Sequence, residues 1–192
     1  MKRVTFFSLL LTCTIYLLAA RQFPNPSDSA SQPFDFESSL NSWVVAQSNP
    51  DAGALSVVAI GSGNSLHGLR IDANHAGWFG IDDANAQLPI SIDAASEYIF
   101  DLSSTFNEGS FAVAFQIGSE YHWCQTSLFA LPSNSHKTLK ADLNTLLASE
   151  EACMGSVPEG ASDVRGIWIY LGQEGVYLLD GVRAQKIDSA IK

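Results

Sequence analysis

The chain has 192 residues, of which 46% are hydrophobic and 16% are charged, and its formal net charge is −10. This length is enough for one domain of ordinary size with a full hydrophobic core. The acidic balance argues against binding to nucleic acid or to anionic membrane surfaces, because both require basic patches. It suits solubility outside the cell and the binding of neutral ligands or cations.

The first twenty residues have the layout of a secretory signal peptide. Lys2 and Arg3 form a short basic start, residues 4–18 are an apolar run, and two small residues follow at 19–20. About 17 apolar or neutral residues can also span a bilayer, so a retained membrane anchor is the alternative. We predict that residues 1–20 are removed and that the protein is secreted, or periplasmic, with no membrane attachment afterwards.

Residues 21–33 are rich in Pro, Ser, Asn and Asp and contain little that could be buried. Such a composition predicts a flexible leader. The folded domain is therefore expected to extend over residues 34–187. It opens with a short alternating strand at residues 34–37, and Trp43, which follows shortly, is assigned to the core.

Short apolar or alternating runs then follow one another, with a polar turn about every eight to twelve residues. We predict further strands at residues 43–45, 55–60, 66–71, 77–81, 90–92, 98–103, 111–117, 121–124 and 136–141. Residues 142–148 are the one predicted helix, because Leu143, Leu146 and Leu147 fall at i, i+3 and i+4 and Asp142 can cap it. The pattern predicts an all-β fold, an antiparallel β-sandwich, and the absence of crossover helices argues against a parallel sheet.

The last part of the domain, residues 163–185, is interpreted as a hairpin of two strands joined by a polar turn at residues 172–175. In its first strand, aliphatic residues alternate with Trp168 and Tyr170, so one face is aliphatic and the other aromatic. The second strand is apolar apart from Asp180. A carboxylate in an apolar strand needs a partner or a metal, because burying an unpaired charge is costly.

Removal of the signal peptide would leave two cysteines, Cys124 and Cys153. Two cysteines in an exported chain predict a disulfide, and two unpaired buried thiols are the alternative. Closing a loop of about thirty residues would contribute about 3 kcal/mol in the chain-entropy model. Neither cysteine has the neighbouring Cys or His that a zinc site requires.

Aromatic residues with polar neighbours form the first candidate site. They are Trp78, Tyr121, Trp123, Trp168 and Tyr170, with Gln116, His122 and Gln125 beside them. The C–H faces of sugar rings pack against aromatic rings, while sugar hydroxyls need donors and acceptors around the rim. The alternative is that these aromatic residues belong to the core.

Acidic residues near the two ends of the domain form the second candidate site. Asp35 and Glu37 lie near its start and Asp180 near its end, and the first and last strands of such sandwiches commonly pair. Calcium takes six to eight oxygen ligands, which the turn at residues 61–65, including the Asn64 amide, could supply in part. Alternatively, backbone amides or arginine side chains satisfy these carboxylates.

Catalytic motifs are scarce in this sequence. It contains no nucleophile elbow, no HExxH zinc motif and no phosphate-binding loop. A glycosidase needs two carboxyl groups across a cleft, and nothing in the sequence singles out such a pair. We therefore predict a protein without catalytic activity, and a small polysaccharide-active enzyme is the alternative.

Five segments, taken in order, resemble the carbohydrate-binding modules with a galactose-binding-like jelly-roll fold that accompany plant-polysaccharide hydrolases. The segments are residues 34–37 with Trp43, 63–66, 77–81, 118–123 and 176–182. The last one, Val-Tyr-Leu-Leu-Asp-Gly-Val, is similar to the Tyr-x-x-Asp-x-Val ending of the family. The resemblance extends over residues 34–185.

The resemblance implies a structural calcium at Glu37 and Asp180 and a concave sheet face that binds a β-linked glucan, mannan or xylan. Its ligand-binding residues would then be the aromatic set named above. The partner would be a polysaccharide or cell-surface glycan, together with a separate polysaccharide-degrading enzyme. Two features depart from the family: Gly181 stands where Asn or Asp is common, and the cysteine pair is not general. An extracellular structural or interaction protein with this fold but no sugar site is the second hypothesis.

Overall fold

The computed structural model describes residues 31–60, 66–83, 88–105, 108–155 and 161–187, in which two antiparallel sheets pack face to face. In chain order the strands are β1 (Ser31–Phe34), β2 (Val44–Val45), β3 (Gly53–Ala59), β4 (His67–Ala73), β5 (Gly77–Asp82), β6 (Ile90–Ser91), β7 (Glu97–Ser104), β8 (Gly109–Ile117), β9 (His122–Gln125), β10 (Phe129–Leu131), β11 (Ser135–Asp142), β12 (Asp163–Leu171) and β13 (Gly175–Gln185). The predicted all-β antiparallel sandwich is confirmed.

The first sheet has the strand order β11-β7-β13-β4-β3, with β1 paired to β13. The second sheet has the order β10-β8-β12-β5-β2, with β6 beside β12 and β9 beside β8. The first and last strands, β1 and β13, pair as expected, and Phe34 lies opposite Val182 in their register. Among the described residues, no helix is long and apolar enough to cross a membrane. The predicted signal peptide lies outside the described residues.

The interior between the sheets is filled by the inward-facing half of each strand. On β12, Ile167, Ile169 and Leu171 are fully buried and belong to one cluster with residues of the facing sheet. Trp43 is only 1% exposed and makes edge-on contacts with Phe34 and Phe36. The assignment of Trp43 to the core is therefore confirmed.

The helix α1 (Leu143–Leu147) lies where the sequence predicts it. Asp142 is its N-cap, and its carboxylate accepts hydrogen bonds from the backbone N–H groups of Asn144 and Thr145. These bonds satisfy donors that have no partner within the first turn of a helix. Leu143 and Leu146 are buried, so the apolar side of the short helix closes one end of the core.

Residues 163–185 do not form the predicted hairpin. Although β12 and β13 are consecutive, β12 pairs with β5 and β8 in the second sheet, whereas β13 pairs with β4 and β7 in the first. The connection at residues 172–174 therefore crosses from one sheet to the other. Both strands are central in their sheets, which explains why both are so apolar.

The first strand also lies earlier than predicted, at Ser31–Phe34 rather than at residues 34–37. Its end is caused by a local turn, in which the Asp35 carboxylate accepts a hydrogen bond from the Glu37 N–H. Phe36 has a positive φ of 55°, which turns the chain out of the sheet.

The two cysteines form the predicted disulfide. Cys124 in β9 is joined to Cys153, which lies in the segment that follows α1. Both residues are buried. The bond therefore fixes this segment against one edge of the second sheet.

Candidate functional site

Four aromatic side chains lie on the outer face of the second sheet, on the opposite side from the core. They are Trp78 on β5, Trp123 on β9, and Trp168 and Tyr170 on β12. Tyr170 lies directly opposite Trp78 in the strand register, while Trp78 and Trp123 both pack against a small cluster of Ala46, Ala114 and Trp168. Because side chains alternate along a strand, the buried aliphatic half of β12 leaves its aromatic half on this face.

Trp168 forms the floor of this face. It is only 8% exposed, and its register neighbours on the adjacent strands are the small residues Gly80 and Ala114. A Cβ atom at Gly80 would lie 2.8 Å from the Trp168 ring, so the indole occupies the space that a side chain would need. The indole N–H donates a hydrogen bond to Gln116 Oε1 at 3.2 Å, which fixes the orientation of the ring.

Trp78 and Trp123 come from strands that are three positions apart in the sheet, yet their rings meet. The ring centroids are 4.9 Å apart and the planes are nearly perpendicular, at 88°. Tyr170 packs against Trp78 with centroids 5.2 Å apart. The Trp123 indole N–H donates to Gln125 Oε1 at 3.0 Å. Edge-to-face packing and this bond hold the rings in place before any ligand binds.

The indoles border a cleft of about 310 Å³, which we call the aromatic cleft. Besides Trp78, Trp123 and Trp168, its lining includes Gln47, Asp82 and Gln116. Among the described residues of this lining, Asp82 is the one that carries a charge, and the amides supply both donors and acceptors. Aromatic walls with a few polar groups are typical of small-molecule sites, and this combination suits a neutral, hydroxyl-rich ligand.

Tyr121 lies outside the lining of the aromatic cleft. Its hydroxyl donates to the Asp83 carboxylate at 2.6 Å, and Asp83 is also paired with Arg165 at 3.1 Å. The hydrogen bond to Asp83 is the largest cause that raises the pKa of Tyr121 above its ordinary value. Arg165 in turn contacts Asp163 at 3.0 Å. Tyr121 is thus part of a polar network beside the cleft.

The structure does not bring His122 to the aromatic cleft. His122 lies opposite Ile117, a fully buried core residue, whereas the next residue, Trp123, lies opposite Gln116 on the outer face. Two consecutive residues of a strand point to opposite faces, so His122 and Trp123 cannot share one. The His122 Nε2 atom is buried and has no hydrogen-bond partner among the described residues.

Glu37 and Asp180 lie near the junction of β1, β4 and β13. The Glu37 carboxylate accepts hydrogen bonds from the backbone N–H groups of Leu66 and His67, and it lies 3.2 Å from His67 Nδ1. The hydrogen bond with His67 is the main cause that lowers the pKa of Glu37. Asp180 lies in the irregular stretch of β13 between Leu179 and Val182.

Asn64, the third predicted calcium ligand, lies outside the described residues. In the part of the chain that the structure describes, no group of three or more His, Cys, Asp or Glu residues could hold a metal ion. The carbonyl groups expected to complete a calcium site belong to residues 61–65, which are also outside. Calcium at Glu37 and Asp180 therefore stays a prediction from the resemblance.

The sequence reasoning missed several residues of the cleft. Val44, Ala46, Gln47 and Ser48 come from β2 and the turn after it, which no pattern linked to the aromatic strands. The alternation of β5 does indicate Asp82, because it lies an even number of positions after Trp78 and the two side chains therefore lie on the same face.

No family model matches the sequence, and no curated protein matches it either. Solved structures share its fold at low sequence identity. An exo-β-agarase matches with a TM-score of 0.60 and 13% identity, over 82% of this chain and 25% of that one. The CBM22-1–GH10 modules of Clostridium thermocellum xylanase 10B, complexed with xylohexaose, match with a TM-score of 0.53 and 10% identity, over 82% and 28% of the two chains.

The family 11 carbohydrate-binding module of the Clostridium thermocellum cellulase Lic26A-Cel5E matches with a TM-score of 0.50 and 14% identity. That match covers 84% of this chain and 97% of the module, whereas the chain spans only about a quarter of the two enzymes. The molecule thus has the β-sandwich fold of carbohydrate-binding modules, and the resemblance noted in the sequence is confirmed at the level of the fold.

Proposed function

We propose that this protein is a non-catalytic carbohydrate-binding protein that holds a neutral polysaccharide chain in the aromatic cleft. The observation that carries the proposal is the perpendicular pair of indoles, Trp78 and Trp123, packed against the cluster that contains Trp168. These rings lie on the outer face of a sheet, where polar side chains are the usual occupants. Trp78 and Trp123 keep part of their surface accessible, so they can contact a sugar.

The geometry of the rings favours a twisted single chain. Because the planes of Trp78 and Trp123 are 88° apart, they cannot form the flat platform that an ordered polysaccharide surface would need. They can contact a chain whose successive sugar rings are rotated relative to one another. A soluble β-glucan, mannan or xylan chain therefore fits the cleft better than a crystalline fibre.

The charge of the cleft favours uncharged polymers. In the part of the lining that the structure describes, Asp82 is the one ionisable residue, and the whole chain has a formal net charge of −10. Polymers rich in uronate or sulfate groups would be repelled by this field. The amides of Gln47 and Gln116 can instead exchange hydrogen bonds with neutral hydroxyl groups.

Affinity electrophoresis against soluble β-glucans, mannans and xylans tests the proposal. We expect at least one polymer to retard the wild-type protein, and Trp78→Ala and Trp123→Ala to abolish that retardation while their near-UV circular dichroism shows a folded domain. Tyr121→Phe is the matched control, because it retains a ring and lies outside the cleft lining. If no polymer retards the wild type, the interaction-protein hypothesis replaces this one and the indole cluster is structural packing.

The remaining parts of the proposal rest on the sequence. The pattern of residues 1–20 supports secretion, and the resemblance supports action beside a separate polysaccharide-degrading enzyme and a structural calcium at Glu37 and Asp180. Two backbone N–H groups already donate hydrogen bonds to the Glu37 carboxylate, so a metal would add to these bonds rather than replace them. Thermal unfolding with added calcium and with a chelator tests the metal: we expect calcium to raise the unfolding temperature.

A further inference from the structure

A second and larger groove, of about 590 Å³, lies at the open side of the sandwich. There the edge of the second sheet, formed by β9 and β10, comes near β11 and α1. Residues from all of these elements line it, among them Gln125, Ser127, Phe129, Lys140, Thr145 and Glu151. We call this cavity the side groove.

The segment after α1 that lines the side groove is joined to β9 by a disulfide and by a hydrogen bond. The disulfide between Cys124 and Cys153 joins the two segments, and the Gln125 N–H donates to the Ala152 carbonyl at 2.8 Å. Ser149 Oγ accepts a hydrogen bond from the Ala152 N–H at 3.2 Å. A site that is built before the ligand arrives loses less entropy on binding.

The lining of the side groove suits a sugar. The half-buried ring of Phe129, packed on Phe111 with centroids 5.7 Å apart, supplies an apolar floor. The Asp142 carboxylate is engaged in capping α1 and bonds the Thr145 hydroxyl at 2.9 Å. The described lining carries Lys140 together with Asp142 and Glu151, so positive and negative charges partly offset one another in the groove. Hydroxyl and amide groups around an aromatic floor match a neutral polyol.

Gln125 connects the side groove to the aromatic cleft. Its Oε1 accepts the hydrogen bond from the Trp123 indole at 3.0 Å, and the same side chain lines the side groove. The aromatic cleft extends across the strands, from Trp78 on β5 over Trp168 on β12 to Trp123 on β9. Because Gln125 follows Trp123 by two residues on β9, the side groove adjoins the Trp123 end of the aromatic cleft.

We propose that the side groove is a further subsite for the same polysaccharide chain. Sugar residues that extend past the Trp123 end of the aromatic cleft cross Gln125 and enter the groove over Phe129. This inference rests on the proposed function of the aromatic cleft. It adds a specific consequence: affinity rises with chain length beyond the oligosaccharides that the aromatic cleft alone can hold.

Two variants fill the side groove from two of the segments that line it. Ser127→Tyr and Glu151→Tyr replace exposed lining residues, so neither disturbs the core. Ser56→Tyr is the matched control, because Ser56 is an exposed strand residue of the first sheet. Calorimetric titration with the trisaccharides and hexasaccharides of β-1,4-xylose, β-1,4-mannose and β-1,4-glucose measures the effect.

We expect both groove variants to weaken hexasaccharide binding by about tenfold while trisaccharide binding stays at the wild-type value. Ser56→Tyr should change neither, and Trp123→Ala should abolish both. Equal hexasaccharide affinities for the wild type and both groove variants would overturn the side-groove subsite and leave the proposed function standing. A wild type that binds none of these sugars would overturn both.

Discussion

The outer faces of the two sheets differ in their chemistry although both sheets bury the same kind of core. The first sheet is covered by charged and polar side chains that pair within and across strands. Arg70 contacts Asp72 at 2.7 Å on the same strand, β4, whereas Asp101 on β7 is bonded by Arg183 on β13 and by the Thr138 hydroxyl on β11. The outer face of the second sheet instead carries three indoles among glycine and alanine residues.

This difference shows that the outer face of the second sheet carries side chains that folding alone does not require. A solvent-facing sheet surface made of polar side chains and ion pairs is the ordinary outcome of an antiparallel sandwich. A cluster of large aromatic side chains on such a surface is informative, because it leaves apolar area in contact with water. The small residues beside Trp168 are part of the same aromatic cluster, because they leave space for the Trp168 ring.

Truncating the floor of the aromatic cleft should have the largest effect. We expect Trp168→Ala to destabilise the protein by about 3 kcal/mol, because a large and mostly buried ring is lost, and to abolish polysaccharide binding. Arg70→Ala on the other sheet should destabilise the protein far less, because an exposed ion pair contributes little, and should leave binding intact. Urea unfolding and affinity electrophoresis measure the two properties. Similar results for the two variants would remove the distinction between the faces.

A smaller effect is expected where the sheet makes room for the indole. A Cβ atom at position 80 would lie 2.2 Å from the Ile167 carbonyl oxygen and 2.7 Å from the Trp168 Cα, so backbone atoms must move. We expect Gly80→Ala to cost about 1–3 kcal/mol and to weaken binding by displacing Trp168. Urea unfolding and affinity electrophoresis report the change. Wild-type stability in this variant would contradict the close packing described for this face.

The smallest effect concerns the polar network at the side of the aromatic face. The hydrogen bond to Asp83 raises the pKa of Tyr121. This hydrogen bond therefore stabilises the folded protein below the ordinary tyrosine pKa, and the stabilisation is lost as the pH rises through the raised pKa. We expect Asp83→Asn to bring the pKa of Tyr121 closer to that ordinary value. Ultraviolet titration of tyrosine ionisation measures it, with Asp72→Asn as the control on the first sheet. An unchanged titration would show that Asp83 does not set this pKa.

Local patterns in the sequence were sufficient for much of the fold. The alternation along β12 predicted which of its residues face the core, and the spacing of Leu143, Leu146 and Leu147 predicted α1 together with its Asp142 cap. These features depend on neighbours within a few residues, so a single segment contains the information. The disulfide was predicted from the small number of cysteines rather than from their geometry.

The pairing of distant strands could not be predicted in the same way. The strands β12 and β13 looked like a hairpin because a short polar turn joins them, yet they lie in different sheets. The sequence places His122 in the ligand-binding set, although alternation within β9 puts its side chain on the other face of the sheet from Trp123. The strand pattern alone is sufficient to separate His122 from Trp123, but it is not sufficient to place β12 and β13 in different sheets.

The sequence by itself determined a two-sheet sandwich with an aromatic stripe on β12, because strand periodicity is a local property. Only the tertiary structure decided that Trp78 and Trp123 meet at that stripe, that Gln47 and Asp82 join them, and that a second groove lies beyond Gln125. The physical reason is that these positions are brought together by the order of strands in the sheet. That order depends on the packing of the whole core, and no single segment specifies it.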